Sequence, residues 1–171
     1  MIPAWENNTL KPIDKLEVHQ RGLKHMAVSV FIMAGSETLI QRRSMIKYHT
    51  PGLWANACCT HPHWKEASEK CAVRRVKEEL GVSNIDLKHQ NQVVYKADVG
   101  NSLLEYEVVE IFLAKIEEKS LLKLNLNPLE VMDARWVNIE KLQMEITHNS
   151  KIFTPWFKIY IKQHIKDILS T

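Results

Sequence analysis

The 171-residue chain contains no run of about 18 consecutive apolar residues, so none of its helices is expected to cross a bilayer. Its first residues, MIPAWENNTL, lack the basic stretch and apolar core of a secretory signal, and none is expected. Cysteine is scarce: three residues, with Cys58 and Cys59 adjacent, make a poor disulfide framework. Together these absences point to the reducing cytoplasm. Charge of one sign is scarce as well. Lys and Arg number 23 against 20 Asp and Glu, a formal surplus of +3, and the two signs are interspersed. A nucleic-acid surface needs a denser basic stripe, so the surplus allows at most a local anion pocket, and neither nucleic acid nor membrane is expected as a partner. With no repeat, low-complexity tract or long linker, one domain is expected over residues 1–171, with about 1–14 as an N-terminal extension. What is present is ordinary. Hydrophobic residues are 45% and charged residues 25%, and a chain this long buries about 70% of its unfolded surface.

The periodicities predict strands alternating with a few helices. Residues 26–34, MAVSVFIMA, read as a strand ending at the turn signal Gly35-Ser36, with ETLIQRRS returning. Residues 44–51 are polar and loop-like, and WANACC reads as one short strand. Ser68–Leu80 is helical in pattern and stops at Gly81, a natural C-cap. NQVVYKADV and LLEYEVVEIFLA flank Gly100-Asn101-Ser102 as a second hairpin, and VMDARWV is a further strand. From Pro155 an amphipathic helix sets Phe157, Ile161, Ile165 and Ile168 on one stripe. The expected fold class is a mixed α/β sandwich.

On the 68–80 helix, Ala72, Val76 and Leu80 fall together with Val73 nearby as the buried stripe. Arg75, Glu78 and Glu79 share an adjacent arc. Taken alone, that arc is a solvated face. Its surroundings say more: Thr60, five residues, Glu66, seven residues, then RRVKEELGV. This resembles the Nudix box, G-x5-E-x7-R-E-U-x-E-E-x-G-U, matched at Glu66, Arg74, Val76, Glu78, Glu79, Gly81 and Val82. Thr60 stands where the box has Gly, and Arg75 where it has Glu. In Nudix hydrolases the helix carboxylates bind the ions that drive diphosphate hydrolysis. A cation among them weakens such a site and favours direct contact with a phosphate, which argues for diphosphate binding without hydrolysis.

A second constellation lies elsewhere. His19 and His25 bracket the entry to the first strand, and His61 follows the CCTH turn, with His63 a rival that spacing cannot exclude. Glu105 and Glu107, two apart in a strand, face the same side. Paired like charges invite a cation. Three imidazoles with two carboxylates suit Mn2+, Mg2+ or Zn2+, in a site expected to weaken as pH falls toward 6.

The strings HMAVSVFI, LIQRRS, PGLWANACCTHP, AVRRVKEELGV, Y-K-A-D, E-Y-E and TPWF, in that order, resemble the type I isopentenyl-diphosphate isomerases over roughly residues 10–160. The resemblance implies a Nudix-like mixed α/β sandwich and the interconversion of isopentenyl and dimethylallyl diphosphate. It implies catalytic roles for Cys59, Glu107, Tyr95 and Trp156, and diphosphate binding by Lys15, Arg43, Lys47 and Arg75. It further implies a divalent ion (Mn2+, Mg2+ or Zn2+) on His19, His25, His61, Glu105 and Glu107, and Mg2+ held with the diphosphate by Glu79. The expected partner is a small isoprenoid diphosphate, and the expected state a monomer. A Nudix-type diphosphate hydrolase and a non-enzymatic metal- or nucleotide-binding module are the competing readings. Cys58 and Cys59 should point to opposite faces, so only one can meet a substrate.

Overall fold

Strand β3 (Lys24–Ala34) forms the centre of the computed structural model, which describes residues 1–170. Its near-continuous apolar run is the pattern of a strand covered on both faces. β3 runs parallel to β8 (Leu104–Ile116), with His25 opposite Glu107. β8 pairs antiparallel with β7 (Lys88–Asp98) across the expected Gly100-Asn101-Ser102 turn, setting Tyr95 opposite Glu107. β4 (Glu37–Arg43) returns from β3 and carries β9 (Val131–Asn138) on one edge and β5 (Trp54–Asn56) on the other.

The residues expected as an N-terminal extension are built into this nine-stranded sheet. β1 (Ile2–Glu6) and β2 (Thr9–Ile13) form a hairpin, and Ala4 pairs with His25 of β3. Asn7 and Asn8 both have positive φ, the left-handed turn that Asn tolerates. A short helix, α1 (Lys15–Arg21), follows. Asp14 caps it by accepting from the Leu16 and Glu17 amides, and Gly22 closes it in the left-handed conformation.

Helices cover both faces. On one, α2 (Ser68–Leu80) lays Cys71, Ala72, Val76 and Leu80 against Val28, Val30, Ile32 and Phe112. Val73 departs from the expected stripe and is 46% exposed, so the buried face is narrower than its apolar residues suggest. On the other face, α3 (Ile139–His148), α4 (Pro155–Ile159) and α5 (Ile165–Leu169) cover Ala27, Phe31, Val109, Ile111 and Leu113. The expected stripe of Phe157, Ile161, Ile165 and Ile168 is buried there, although the tail passes through a π turn at Tyr160–His164. The result is the expected mixed α/β sandwich.

Two local features place functional side chains. WANACC is not one strand: the chain jogs at Ala57, and β6 (Cys58–Thr60) leaves β5 to pair with β3. The buried Asn56 amide holds the jog by donating to the Val30 and Cys58 carbonyls at 3.1 and 2.6 Å. At the end of α2, Gly81 has φ +70°, and a Cβ there would fall 2.6 Å from the Asn125 carbonyl oxygen. Only glycine lets the 125–127 segment run against the helix end, where the Asn125 and Asn127 amides cap the Leu80 and Glu79 carbonyls.

Candidate active site

The strand ends and loops at one side of the sheet converge on a narrow cavity of about 20 Å³. Lys15, Arg43, Lys47, His49, Cys59, His61, Arg75, Glu105, Glu107 and Trp156 line it. It adjoins a cleft of about 250 Å³ bordered by Lys15, Lys47, Arg75 and Glu130. His19, His25, Tyr95 and Glu79 lie just behind this lining. The residues expected to act in catalysis, metal binding and diphosphate binding are therefore brought to one region.

The adjacent cysteines separate as the strand alternation requires. Cys58 is buried in the core under α2, while Cys59 packs against the opposite core and faces the cavity. Ser29 donates to Cys59 Sγ at 3.2 Å, and Tyr160 Oη lies 3.1 Å from the same Ser29 hydroxyl. Burial and the two nearby glutamates push the Cys59 thiol well above its ordinary range, so it holds its proton at neutral pH. Trp156 is buried at the cavity wall with the Arg43 guanidinium 5.3 Å from its ring centre.

Tyr95 Oη lies between the two carboxyl groups, 2.8 Å from Glu105 and 2.7 Å from Glu107. Burial beside a second carboxylate raises Glu105 well above the usual range. Burial acts the same way on Glu107, but the His25 and His61 imidazoles outweigh it and hold that carboxyl well below. His61 Nε2 lies 2.9 Å from Glu107 Oε1. His63 is exposed, which resolves the choice that spacing left open.

The histidine tautomers follow from their partners. His19 Nδ1 and His25 Nδ1 each lie 2.7 Å from a backbone carbonyl, of Lys15 and Leu23. A carbonyl only accepts, so both Nδ1 atoms carry a proton and both Nε2 atoms point away from those carbonyls, with neutral His19 presenting a lone pair there. These Nε2 atoms are buried without hydrogen-bond partners. Buried lone pairs aimed at carboxylates are what a divalent cation requires, so the donor set fits such an ion. The potential ligand atoms form two groupings that share His19: His19, His25, His61 and Glu107, then His19, His49 and Glu105. The sequence placed both glutamates with the same three histidines. The structure gives Glu105 a further neighbour, His49, which the polar 44–51 segment did not signal. Burial pulls His19 down to about 4 and His61 well below its ordinary range, so these two are neutral at neutral pH.

The cleft is cationic. Part-buried Lys15 is pulled down to about 8 by its enclosure and by Lys47, Arg43 and Arg75 around it. Arg75 donates to Glu78 at 2.9 Å and to Glu79 at 2.6 Å, and lies 3.3 Å from Glu130. Glu130, also missed in the sequence, pairs with Lys47. Glu79 additionally accepts from the Gln41 amide at 2.9 Å. The remaining box residues are structural: Arg74 forks onto both Glu66 oxygens at 2.7 and 2.8 Å, and Glu66 accepts the His63 amide. This pair fixes the loop that leads from His61 into α2.

The NUDIX domain family matches residues 23–157, so the fold and the site define a NUDIX-domain protein. Among solved structures, a MutT protein from Methanosarcina mazei superposes with a TM-score of 0.66 at 17% identity, over 86% of this chain and 96% of that one. A MutT NUDIX hydrolase from Burkholderia pseudomallei gives 0.63 at 18% identity, over 82% and 98%. At those identities the likeness concerns the fold. Isopentenyl-diphosphate Delta-isomerase of Dinoroseobacter shibae is 50% identical over 100% of this chain and 96% of its own. The enzyme of the same name from Rhodobacter capsulatus is 51% identical over 96% and 92%. The chain belongs to the family of isopentenyl-diphosphate Delta-isomerases within the NUDIX fold.

Proposed function

We propose that this chain interconverts isopentenyl and dimethylallyl diphosphate, with Cys59 and Glu107 moving protons on opposite walls of one enclosed cavity. The observation that carries the reading is the cavity itself. A thiol holding its proton and a Tyr95-bonded carboxylate line the same narrow space with Arg43, while Lys15, Lys47 and Arg75 border the cleft outside it.

The reaction adds one proton at the terminal methylene carbon and removes another from the methylene on the far side of the branched carbon. No net proton is consumed. One of the two groups supplies the first proton and the other accepts the second, and their roles exchange in the reverse direction. Between the two steps the branched carbon carries a positive charge that water would capture, so a closed pocket is required. The Trp156 indole offers its π face to that charge, an interaction worth about 2 kcal/mol when desolvated. Lys15, Arg43, Lys47 and Arg75 would hold the diphosphate and set the hydrocarbon end against Trp156. His19, His25, His61, Glu105 and Glu107 would hold a divalent ion, Mn2+, Mg2+ or Zn2+, and Glu79 would hold Mg2+ with the diphosphate. Bound metal would supply rigidity and altered acidity at the Glu107 carboxylate.

Hydrolysis is the competing reading that the NUDIX fold invites. The helix carboxylates argue against it, because Arg75 already occupies Glu78 and Glu79. The scarcity of cysteine supports a cytoplasmic location, and the interspersed charge supports a protein that does not bind nucleic acid. Among the described residues no helix is long and apolar enough to cross a membrane. Proton NMR of isopentenyl diphosphate in D2O with the protein and Mg2+ tests the activity. Double-bond migration with deuterium uptake is expected. Release of inorganic phosphate or diphosphate without migration would overturn the reading.

A further inference from the structure

His49 enters the pocket from the loop between β4 and β5 and is 4% exposed. Its ring stacks on His19 with centroids 5.6 Å apart and meets Trp156 edge-on at 5.9 Å. His49 Nδ1 lies 3.2 Å from the Thr50 hydroxyl oxygen. With that hydroxyl accepting, Nε2 is left with a lone pair directed toward Glu105, 4.0 Å from Oε1. This gap is too long for a hydrogen bond. It leaves room for an ion between the two atoms when each bond is about 2.0–2.2 Å. The donor atoms of His19, His49 and Glu105 all lie within 4.8 Å of one another, and the His19 Nε2 they share is buried and unpartnered.

We propose that His49 is a fourth imidazole donor of the metal pocket, and that it biases the pocket toward imidazole-preferring first-row ions over Mg2+. The proposal rests on the reading that the His/Glu cluster binds a divalent ion. Its chemical basis is donor type: Mg2+ favours carboxylate and water oxygen, whereas later first-row ions gain from each added imidazole. His49 belongs to the grouping of His19 and Glu105 and not to that of His25, His61 and Glu107, so it doubles the imidazole count around Glu105 and tips the donor balance there.

Titration of the metal-free protein with Co2+ and with Mg2+ tests this, by calorimetry and by the visible absorption of bound Co2+. The wild type should bind one Co2+ per chain. His49→Gln and His49→Phe, both of which keep a side chain against Trp156, should bind Co2+ about 10–100-fold more weakly with an altered absorption spectrum. Their Mg2+ affinity should change less than threefold. Thermal unfolding shows which variants retain the fold, and either one suffices. Unchanged Co2+ affinity and spectrum in a folded variant would overturn the role of His49 and leave the five-residue site standing. Equal loss of Co2+ and Mg2+ would overturn the selectivity. Failure of the wild type to bind Co2+ would overturn the metal reading beneath both.

Discussion

The molecule compensates its buried and half-buried carboxylates in two opposite ways. At α2, half-buried Glu66 in the loop before it and buried Glu79 within it are matched to the guanidinium groups of Arg74 and Arg75, which also meet exposed Glu78. Along β8, Glu105 and Glu107 receive only the Tyr95 hydroxyl and imidazoles, among them His61, held neutral by burial. The helix site is electrically complete within the protein. The strand site is short of positive charge and keeps unpartnered lone pairs beside the deficit. Residue type is the same in both places, and the partners decide how much of each carboxylate's charge is already answered within the protein. Under the proposed function the NUDIX helix is a diphosphate-facing surface and the acid–base chemistry lies on the sheet.

The largest expected effect comes from breaking the strand side. Glu107→Gln removes a proton-transfer group, and isomerisation should fall by about 10²–10⁴ with no recovery at any metal concentration. Glu105→Gln keeps the shape and one acceptor, so its activity should recover in part with excess metal. Metal analysis beside activity assays separates the two. Rescue of both would make Glu107 a ligand only and pass the proton role to Tyr95.

Cys59→Ala should cost a similar factor in kcat, whereas Cys58→Ala, confined to the core under α2, should keep most activity and lose only stability. Steady-state kinetics of both folded variants reads this, and equal losses would refute the two-faced strand.

The neutral imidazoles make a pH prediction for the metal-free protein. His19 sits at about 4 in the folded chain against 6.5 when unfolded. Between those values the unfolded chain binds a proton that the folded one does not. Stability is therefore complete above pH 6.5 and is lost as pH falls toward 4, by on the order of 3 kcal/mol. Urea unfolding of the metal-free protein at pH 7.5 and pH 5 should show the loss, with His49, pulled to about 2, adding to it.

Arg75→Glu breaks the helix side. It restores the NUDIX consensus but places a carboxylate against Glu79 and the incoming phosphates, so KM should rise roughly 10–100-fold, or about 1.4–2.7 kcal/mol. Hydrolysis should not appear, because the rest of the site is not arranged for it. An unchanged KM would show that Arg75 plays no part in binding. The smallest effect is expected from Tyr160→Phe. It leaves Ser29 bonded to Cys59 but frees the hydroxyl rotor, for about 1 kcal/mol, seen as a less than tenfold fall in kcat with KM unchanged.

Much of this was legible in the chain. The central hairpin, the α2 boundary at Gly81, the E-x-E strand and the tail stripe all follow from periodicity and turn chemistry, which act over a few residues. The β1–β2 hairpin was not, because its strands are short and an Asn-Asn turn is a weaker signal than Asn-Gly. The break in WANACC was invisible for another reason: only Asn56, by donating to Val30 across the sheet, makes the jog stable. His49 and Glu130 lie in segments whose local pattern is that of polar loop, so nothing nearby marked them.

The sequence by itself determined which groups are available and which face each takes within its own element. Alternation separated Cys58 from Cys59 and aligned Glu105 with Glu107, since both relations depend only on the pleat. The tertiary structure decided which charges are answered. Arg75 beside Glu130, neutral His61 on Glu107 and His49 beside Glu105 are contacts between distant segments. Their electrostatic consequences depend on burial and on neighbours within a few ångströms, quantities that exist only once the sheet, the helices and the β4–β5 loop have closed around one cavity.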